Sequence, residues 1–472
     1  MAEVKNVTDA PAAPPRPPGE PGDDLGTGAD QAVALALAAN DDRRVREIVR
    51  GLHHADFADI LQRLSPEDRG RVVDIIRDEF PAGVLSELDE TVRDQVIEHL
   101  GIDDVAAALV ELDSDDALEV VEELPALEQQ QVLDAIPVGE RTLIEQGLTY
   151  PEESAGRLMQ REVVTVPTHW SVGETIDFLR ASADSDAPSL PTQFYDIFVV
   201  DPARRPVGAI SLSRLLQARR PVPVIDIMQT EMKLLPVTTD QEDVAFVFRQ
   251  RDLVSAPVVD DSGRLVGAIT VDDVVDVIHE ENEEDILLLG GVKEDDLYVA
   301  TLDTTRARFA WLLVNLATAI LASAVISLFD ATIEQMVALA ILMPIVASMG
   351  GNAGTQTLTV TVRALAMKEL TPTNALRVIG KELMVGGMNG LLFAVIIGGV
   401  TWLWFGSATL GAVIGMAMIA NLIVAGLAGT TIPLLLDRVG VDPAVASGVF
   451  LTTVTDVVGF FVFLGLAALV LL

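Results

Sequence analysis

Residues 309–329 read FAWLLVNLATAILASAVISLF, a run of mainly apolar side chains that contains no charged residue. A helix needs about 20 such residues to cross the hydrocarbon core of a bilayer. Four later stretches satisfy the same requirement, and they occupy roughly 337–362, 383–405, 409–436 and 446–472. The sequence therefore predicts an all-α transmembrane domain of five spans at 309–472.

Charge divides the chain at the same place. The 472 residues carry 32 Lys and Arg against 70 Asp and Glu, a net charge of −38, although half of the residues are hydrophobic. From residue 311 onward there are five basic and seven acidic residues, which leaves 27 basic and 63 acidic residues before that point. Such an acidic body argues against a nucleic-acid partner, because basic surfaces bind phosphates. The absence of cysteine excludes disulfides and thiolate zinc sites.

The loops between the predicted spans alternate in their content of basic residues. In membrane proteins, the cytoplasmic loops carry the excess of Lys and Arg. Here these residues precede the first span, follow the second and follow the fourth: Arg306, Arg308, Lys368, Arg377, Lys381 and Arg438. We therefore expect a multi-pass protein of a bacterial-type cytoplasmic membrane, with its N-terminal domains in the cytoplasm and its C-terminus outside.

The second predicted span contains MPIVASMGGNAGTQT at 343–357, an unusual sequence for a membrane helix. Pro344 and the three glycines are expected to weaken a continuous helix, and broken backbone at this depth occurs only where it is buried in protein or lines water. Asn352 and Gln356 are four residues apart and would share one helical face. The candidate ion-path residues here are Gly350, Gly351, Asn352, Gly354 and Gln356. Close helix packing would explain the glycines equally well.

The fifth predicted span contains LTTVTDVVGFF, which places Asp456 deep in an apolar stretch. An ionisable group at that depth costs several kcal/mol and by default marks an ion path or a charged partner. No Lys or Arg lies within a comparable apolar stretch. We therefore predict that Asp456 binds the transported ion, with Thr452 and Thr453 beside it. The alternative is a protonated aspartate that is hydrogen-bonded to one of these threonines.

Two segments open the chain. Residues 1–28 include six prolines between Pro11 and Pro21, which predicts a disordered, extended tail. In residues 29–150, apolar residues recur at helical spacing between short polar breaks such as SPED and DSDD. This pattern predicts an all-α, superhelical N-terminal domain in which the breaks supply N-caps.

Residues 151–288 contain an internal repeat, with copies at about 158–218 and 227–280. VVDPARRPVGAIS at 199–211 and VVDDSGRLVGAIT at 258–270 are 59 residues apart, whereas the starts of the two copies are 69 apart. The first copy therefore holds about ten extra residues, which we expect in SDAPSLPTQF. The order β-α-β-turn-β-α resembles a CBS domain. An α/β CBS pair of this kind binds adenine nucleotides, senses ions or serves only as a dimerisation element.

An acidic connecting segment at 271–308 links the repeat to the first span, and its first 26 residues hold eleven acidic groups. Two pairs of these are three residues apart, namely Asp273 with Asp276 and Glu281 with Glu284. Like charges at that spacing destabilise a helix, and a bridging divalent cation would reverse the effect. Carboxylates without His or Cys suit Mg²⁺ or Ca²⁺. The alternative is a solvated acidic face.

In this order, a helical N-terminal domain, a CBS pair, an acidic connecting (plug) helix and five spans closely resemble the MgtE family of magnesium channels and transporters. The most specific parts are MP…GGNAGTQ at 343–356 and TTVTDVVGF at 452–460. The resemblance implies a homodimer whose second and fifth membrane helices line a central pore. It places hydrated Mg²⁺ at Asp456 and the pore asparagine at Asn352. It also implies that cytoplasmic Mg²⁺ bound to the acidic domains closes the pore.

The resemblance carries over a set of regulatory Mg²⁺ ligands by local sequence. They are Asp240, Glu242, Asp252, Asp273, Asp276, Glu281, Glu284, Asp285 and Asp442. It also implies a ligand in the N-terminal domain, but the local sequence does not identify the residue. The family's CBS pair also binds ATP, and the insertion in the first copy leaves that site undecided here.

Together, the residues and the resemblance predict Mg²⁺-selective, channel-like influx through a homodimeric pore that internal Mg²⁺ closes. The alternatives are transport of another divalent cation such as Co²⁺ or Mn²⁺ under CBS control, and a non-conducting Mg²⁺ sensor. An anion path is disfavoured because the charge within the spans is acidic. No P-loop or nucleophile–base pair is present in the sequence, so we expect no enzyme activity.

Overall fold

The computed structural model describes residues 25–183, 190–191, 193–292 and 301–471. It contains two compact units, which divide the sequence between Val274 and Val275. Most of the predicted proline-rich tail, and most of the insertion SDAPSLPTQF, lie outside the described residues. The first helix begins at Leu25, so it includes the last residues of the segment that the sequence assigned to the tail.

Within the described residues 25–150, nine short helices follow one another. Their bounds are α1 Leu25–Ala38, α2 Asp42–Val49, α3 His54–Arg63, α4 Pro66–Ile76, α5 Glu90–Leu100, α6 Ile102–Glu111, α7 Ser114–Glu123, α8 Ala126–Ala135 and α9 Val138–Gly147. Two 3-10 helices, Arg77–Glu79 and Ala82–Val84, separate α4 from α5. Helices close in sequence pack together, such as α6 on α8 and α7 on α9. The predicted all-α domain is confirmed.

Polar breaks begin several of these helices. In SPED, the Ser65 hydroxyl accepts a hydrogen bond from the backbone N–H of Asp68 at 3.2 Å, and Pro66 occupies the first helical turn. Both residues favour a helix start, because the hydroxyl satisfies a free N–H group and proline has none to satisfy. The apolar faces fill the interior, where Phe57 and Leu61 of α3 are fully buried.

Each CBS copy has a three-stranded sheet with helices beside it. The first copy contains α10 Ala155–Leu158, β1 Thr165–Pro167, α11 Val172–Ala183, β2 Asp196–Val200, β3 Pro206–Ser211 and α12 Leu212–Gln217. The second contains α13 Val224–Ile227, β4 Leu235–Pro236, α14 Gln241–Arg251, β5 Ser255–Val259, β6 Leu265–Thr270 and α15 Val271–Leu289. In both sheets the first two strands are parallel and the last two antiparallel. The predicted repeat is confirmed.

The two copies also share backbone pairing. Gln160, which precedes the first sheet, exchanges two hydrogen bonds of 2.9 Å with Ala268 of β6. Gln229, at the equivalent place before the second sheet, exchanges bonds of 2.8 and 3.0 Å with Ala209 of β3. Each copy therefore satisfies backbone groups at the edge of the other's sheet. This exchange makes the pair a single structural module.

The membrane domain consists of five long helices and one short helix within the described residues. They are α16 Thr301–Ser327, α17 Asp330–Gln335, α18 Ala338–Ala366, α19 Ala375–Phe405, α20 Ala408–Arg438 and α21 Pro443–Val470. Five helices there are long and apolar enough to cross a membrane, as predicted. The third begins at Ala375 rather than 383, so Glu382 lies inside it.

α20 is the central helix of this domain, and it packs against α18, α19 and α21. Val413 and Ile414 of α20 meet Leu342 of α18 and Phe463 of α21 in a buried apolar core. Many outward-facing side chains are apolar as well; Leu403, for example, is 82% exposed. Apolar side chains on the outside of the bundle are compatible with the hydrocarbon core of a bilayer. The helices satisfy their own backbone hydrogen bonds there, because lipid offers none.

The expectation that Pro344 and its neighbouring glycines weaken the second membrane helix is wrong. α18 is continuous from Ala338 to Ala366, with Pro344 inside it. Proline removes one backbone N–H from the helix, but neighbouring helices in a membrane protein support the remaining backbone bonds. The ion-path residues of this segment therefore lie on regular helix faces.

Candidate functional site

Asp456 lies midway along α21, where its side chain is partly buried. Within the described parts of the chain, no Lys, Arg or His forms an ion pair with it. A carboxylate at this depth without a protein counter-charge is costly unless a cation or water reaches it. Ion binding by Asp456 stays a prediction.

The threonines before Asp456 do not donate to its carboxylate. The Thr453 hydroxyl donates to the backbone carbonyl of Val449 at 2.6 Å. Thr452 donates to the carbonyls of Gly448 and Val449, each at 3.1 Å. Threonine hydroxyls commonly bond to the preceding helical turn in this way. The arrangement leaves the Asp456 carboxylate without the threonine donors that the alternative interpretation offered it.

The glycines of α18 divide into two kinds. A Cβ atom on Gly354 would lie 2.8 Å from Leu451 of α21, and one on Gly350 would overlap the Asn421 amide of α20. These two glycines therefore allow close helix packing, which is the alternative that the sequence left open. A Cβ atom on Gly351 would meet nothing within 4 Å. Next to it, Asn352 is exposed, so these two residues mark an open face of α18.

Gln356 lies one turn after Asn352 in the continuous helix α18, so the two residues share one side of it. It lines a cavity between α18, α19 and α20, together with Thr357, Glu382 and Asn389. The sequence expectation placed Gln356 with Asn352 because the two residues are four apart. The structure adds that Gln356 borders the same cavity as Glu382, a residue outside the predicted bounds of the third span.

Asn421 of α20 is a buried polar residue that sequence reasoning missed. Its side chain is fully buried, and its Nδ2 donates to the Val346 carbonyl of α18 at 2.8 Å. Both Gly350 of α18 and Gly459 of α21 approach its amide. Asn421 therefore connects the helix that carries Asn352 with the helix that carries Asp456. A single asparagine in an apolar span was the available signal.

Two of the predicted regulatory ligands lie at opposite ends of α14. Asp240 caps the start of the helix by accepting a hydrogen bond from the Glu242 backbone N–H at 2.9 Å. Asp252 ends the helix with a left-handed backbone, at a φ of 51°. An α-helix of 11 residues is about 16 Å long. Asp252 therefore does not share one coordination sphere with Asp240 and Glu242.

Acidic residues of α7 face the start of α15. The pKa of Asp115 is raised well above its ordinary value, mainly by burial and then by the charges of Asp273 and Asp116. Burial, with the charges of Glu119 and Asp273, raises the pKa of Asp116 to about 7. Each carboxylate thus destabilises the charged form of its neighbours. The DSDD segment, predicted only as a helix break, brings two acids of the N-terminal domain to the predicted ligand Asp273.

A second pair of predicted ligands lies nearer the membrane helices. Burial raises the pKa of Asp285, and the charge of Asp442 raises it further. Asp442 also caps α21, since its side chain accepts from the Ala444 backbone N–H at 2.8 Å. Asp276, Glu281 and Glu284 also lie in α15, where Glu281 and Glu284 are three residues apart and Asp276 precedes Glu281 by five. Among the described residues, no three acidic or histidine side chains are grouped closely enough to hold a metal ion by themselves.

Three family models match the chain. The MgtE model, described as a divalent cation transporter, matches residues 343–466; the MgtE intracellular N domain matches 52–153; and the CBS domain matches 155–220 and 224–280. A magnesium transporter MgtE from Thermus thermophilus is 34% identical to it, over 92% of this chain and 97% of the relative. The chain belongs to the MgtE family.

Other MgtE proteins show the same relationship. A magnesium transporter MgtE from Bacillus subtilis is 29% identical over 90% of this chain and 93% of the relative. A solved structure, described as the cytosolic domain of the Mg²⁺ channel MgtE in complex with ATP, is 32% identical to this chain. It covers 52% of this chain and 99% of its own, with a TM-score of 0.48.

Membership of the MgtE family confirms the predicted family and fold class. MgtE is a family of divalent cation transporters rather than of enzymes. The membrane part of the match includes both Asn352 and Asp456. It assigns no role to either residue.

Proposed function

We propose that this MgtE-family protein conducts Mg²⁺ into the cytoplasm through a homodimeric pore lined by α18 and α21. The observation that carries the proposal is Asp456, a mid-membrane carboxylate with no basic partner among the described residues. The relatives named magnesium transporters support Mg²⁺ as the ion.

A hydrated ion is the species that such a pore would select. Mg²⁺ releases its waters reluctantly and is commonly bound through one or two carboxylates with several waters retained. In a two-fold dimer, Asp456 would face its own copy across the axis. Two facing carboxylates repel each other, and a cation between them removes that repulsion. The open face at Gly351 and Asn352 gives the second lining surface.

The acidic cytoplasmic residues are proposed to sense the same ion. Burial and the charge of Asp273 raise the pKa of Asp115 and of Asp116, and burial and the charge of Asp442 raise the pKa of Asp285. Bound Mg²⁺ would relieve these repulsions, so a conformation that brings carboxylates together is favoured when internal Mg²⁺ is high. We assign the closed pore to that conformation. The remaining proposed ligands are Asp240, Glu242, Asp252, Asp276, Glu281 and Glu284.

The basic residues of alternate loops support an orientation with the acidic domains in the cytoplasm of a bacterial-type cell. The ATP named in the solved cytosolic domain belongs to that protein. ATP binding by this CBS pair stays a prediction. Transport of another divalent cation, which the family description includes, is tested by the same flux measurement with Mn²⁺ and Co²⁺.

The test is divalent uptake by the purified full-length protein in liposomes, with Asp456→Asn as the variant. We expect Mg²⁺ flux to fall by about tenfold or more, because the ion loses an attraction to a charge in a low-dielectric site. Asp437→Asn is the matched control, since Asp437 is exposed at the end of α20. Undiminished flux in Asp456→Asn would remove Asp456 from the path. A wild-type protein without flux for any divalent cation would identify a non-conducting sensor.

A further inference from the structure

The membrane domain contains a cavity, lined by both polar and apolar side chains, that does not involve α21. It lies between α18, α19 and α20 and has a volume of about 180 Å³. α19 packs closely on α20, because Gly386 approaches the backbone of Leu422 and Gly426 approaches the backbone of Glu382. α18 contacts α19 only sparsely. The cavity therefore occupies the cleft that remains between α18 and α19.

Four polar side chains line this cleft: Gln356 and Thr357 from α18, and Glu382 and Asn389 from α19. The Glu382 side chain is only 12% exposed. The Thr357 hydroxyl donates to Glu382 Oε2 at 3.2 Å, which holds the carboxylate toward α18. Lys381 Nζ lies 3.4 Å from Glu382 Oε1, but the lysine side chain is 67% exposed. One carboxylate oxygen is thus oriented by protein and the other is paired with a solvent-facing cation.

We propose that this cavity binds a hydrated divalent cation, at a second membrane site separate from Asp456. A carboxylate with amide and hydroxyl oxygens is a hard donor set that suits Mg²⁺. A water occupies about 30 Å³ in the liquid, so the cavity has room for several waters around the ion. An ionisable side chain at membrane depth that faces a cavity commonly marks an ion site. Lys381 holds the place of the cation when the site is empty.

The position of the cleft along the helices indicates the side of the membrane on which an ion would occupy it. Glu382 is in the second turn of α19, and Gln356 is ten residues before the end of α18. In the proposed orientation, both lie in the cytoplasmic half of the membrane. The site therefore serves ions on the inner side of the bilayer. The inference depends on the proposed function for the identity of the ion and for the orientation of the membrane domain.

The absence of cysteine from the sequence allows a direct test. A single thiol introduced by Val385→Cys would line the cavity and report its occupancy through the rate of modification by a small, charged thiosulfonate. In the full-length protein, Mg²⁺ at about ten times its Kd should slow modification about tenfold, since about a tenth of the sites stay free. Leu403→Cys, exposed on the same helix, should react at the same rate with and without Mg²⁺.

Two further variants separate this site from Asp456. Glu382→Gln retains the acceptor for Thr357 and removes only the charge, so we expect protection to be lost while the protein stays folded. Asp456→Asn should retain protection of Val385→Cys although flux falls. Protection that survives Glu382→Gln, or that disappears with Asp456→Asn, would overturn the proposal. Absence of flux in the wild-type protein would overturn the proposed function instead, because protection is measured without transport.

Lys381→Met tests the counter-ion. Removal of the competing ammonium should lower the Mg²⁺ concentration for half-maximal protection several-fold. Glu369→Gln is a matched control because Glu369 is exposed in the loop between α18 and α19, and it should leave that concentration unchanged. An unchanged value in Lys381→Met would contradict the exchange of Lys381 for the ion.

Discussion

Asn421 is the residue at which the two proposed pore helices are connected. Its amide donates to α18 through the Val346 carbonyl and contacts the backbone of α21 at Gly459. Its Oδ1 is buried without a hydrogen-bond partner among the described residues. A buried unpaired acceptor costs about 1–3 kcal/mol. This cost offsets only part of the stabilisation from the Nδ2 hydrogen bond to Val346 and from the packing of the side chain between the helices.

We predict that Asn421→Ala lowers the stability of the membrane domain by about 1–2 kcal/mol, because it removes an interhelical hydrogen bond and opens a space between α18 and α21. Thermal unfolding of the full-length protein in detergent measures this change. Mg²⁺ flux in liposomes should fall with it, since Asp456 loses its fixed place relative to α18. Thr431→Ala on the same helix is the control, because its hydroxyl bonds within α20. An unchanged melting temperature would show that Asn421 does not connect the helices.

The α18 helix shows how adjacent residues of one element acquire different roles. A Cβ atom on Gly350 would overlap the Asn421 amide, whereas a Cβ atom on Gly351 would lie in open space. Consecutive residues of a helix are about 100° apart around its axis. One glycine therefore lies in a helix interface and the next on the exposed face with Asn352.

We predict opposite results for two alanine substitutions in α18. Gly350→Ala forces the Asn421 side chain to move and should destabilise the protein by about 1–3 kcal/mol. Gly351→Ala meets no atom and should leave stability unchanged or raise it by up to about 1 kcal/mol, because alanine favours the helix. If the face of Gly351 lines the pore, flux should fall in Gly351→Ala although the melting temperature does not. Equal destabilisation by both substitutions would contradict the assignment of the two faces.

Most acidic residues of the molecule precede the membrane domain that is proposed to conduct the ion. The 63 acidic groups before residue 311 belong to the parts proposed to sense Mg²⁺, and Asp456 belongs to the part proposed to conduct it. Regulation by the transported ion requires that its affinity differ between the open and closed forms. Burial, together with neighbouring carboxylates, raises the pKa of Asp115, Asp116 and Asp285, so a cation bound there would stabilise their charged forms.

We predict that neutralising four acids of α15 uncouples conduction from internal Mg²⁺. The variant combines Asp273→Asn, Asp276→Asn, Glu281→Gln and Glu284→Gln. Liposomes loaded with a graded series of Mg²⁺ concentrations measure the ion concentration that halves the flux. That concentration should rise by about tenfold or more, since allosteric coupling of 1–3 kcal/mol corresponds to that range. Asp260→Asn, in an exposed turn of the second CBS copy, is the control; an unchanged response in the α15 variant would identify these acids as a solvated face.

Local sequence patterns predicted the helices and the CBS repeat correctly, but they did not predict which residues pack against one another. The five spans, the CBS repeat and the depth of Asp456 depend on hydropathy and spacing within one segment. The continuity of α18 was not predicted, because glycine and proline were judged by their effect on an isolated helix. In the folded domain, neighbouring helices fill the space beside Gly350 and Gly354.

Spatial relations among the predicted regulatory ligands were also not predicted from the sequence. Asp240 and Asp252 were assigned to one regulatory set, but they lie at the two ends of α14. Asp115 and Asp116 were interpreted only as a helix break, yet they face Asp273. The second relation is not visible in the sequence, because it depends on the contact of two separate domains.

Hydropathy, motifs and the order of segments along the chain were enough to predict the family, the five membrane helices and the isolated acid Asp456. The tertiary structure decided that Gln356 belongs with Glu382, that Asn421 connects α18 with α21, and that Gly351 is open. These relations depend on which faces of α18, α19 and α20 pack together. Helices with apolar residues on every side carry no amphipathic pattern that would identify those faces, so only packing distinguishes them.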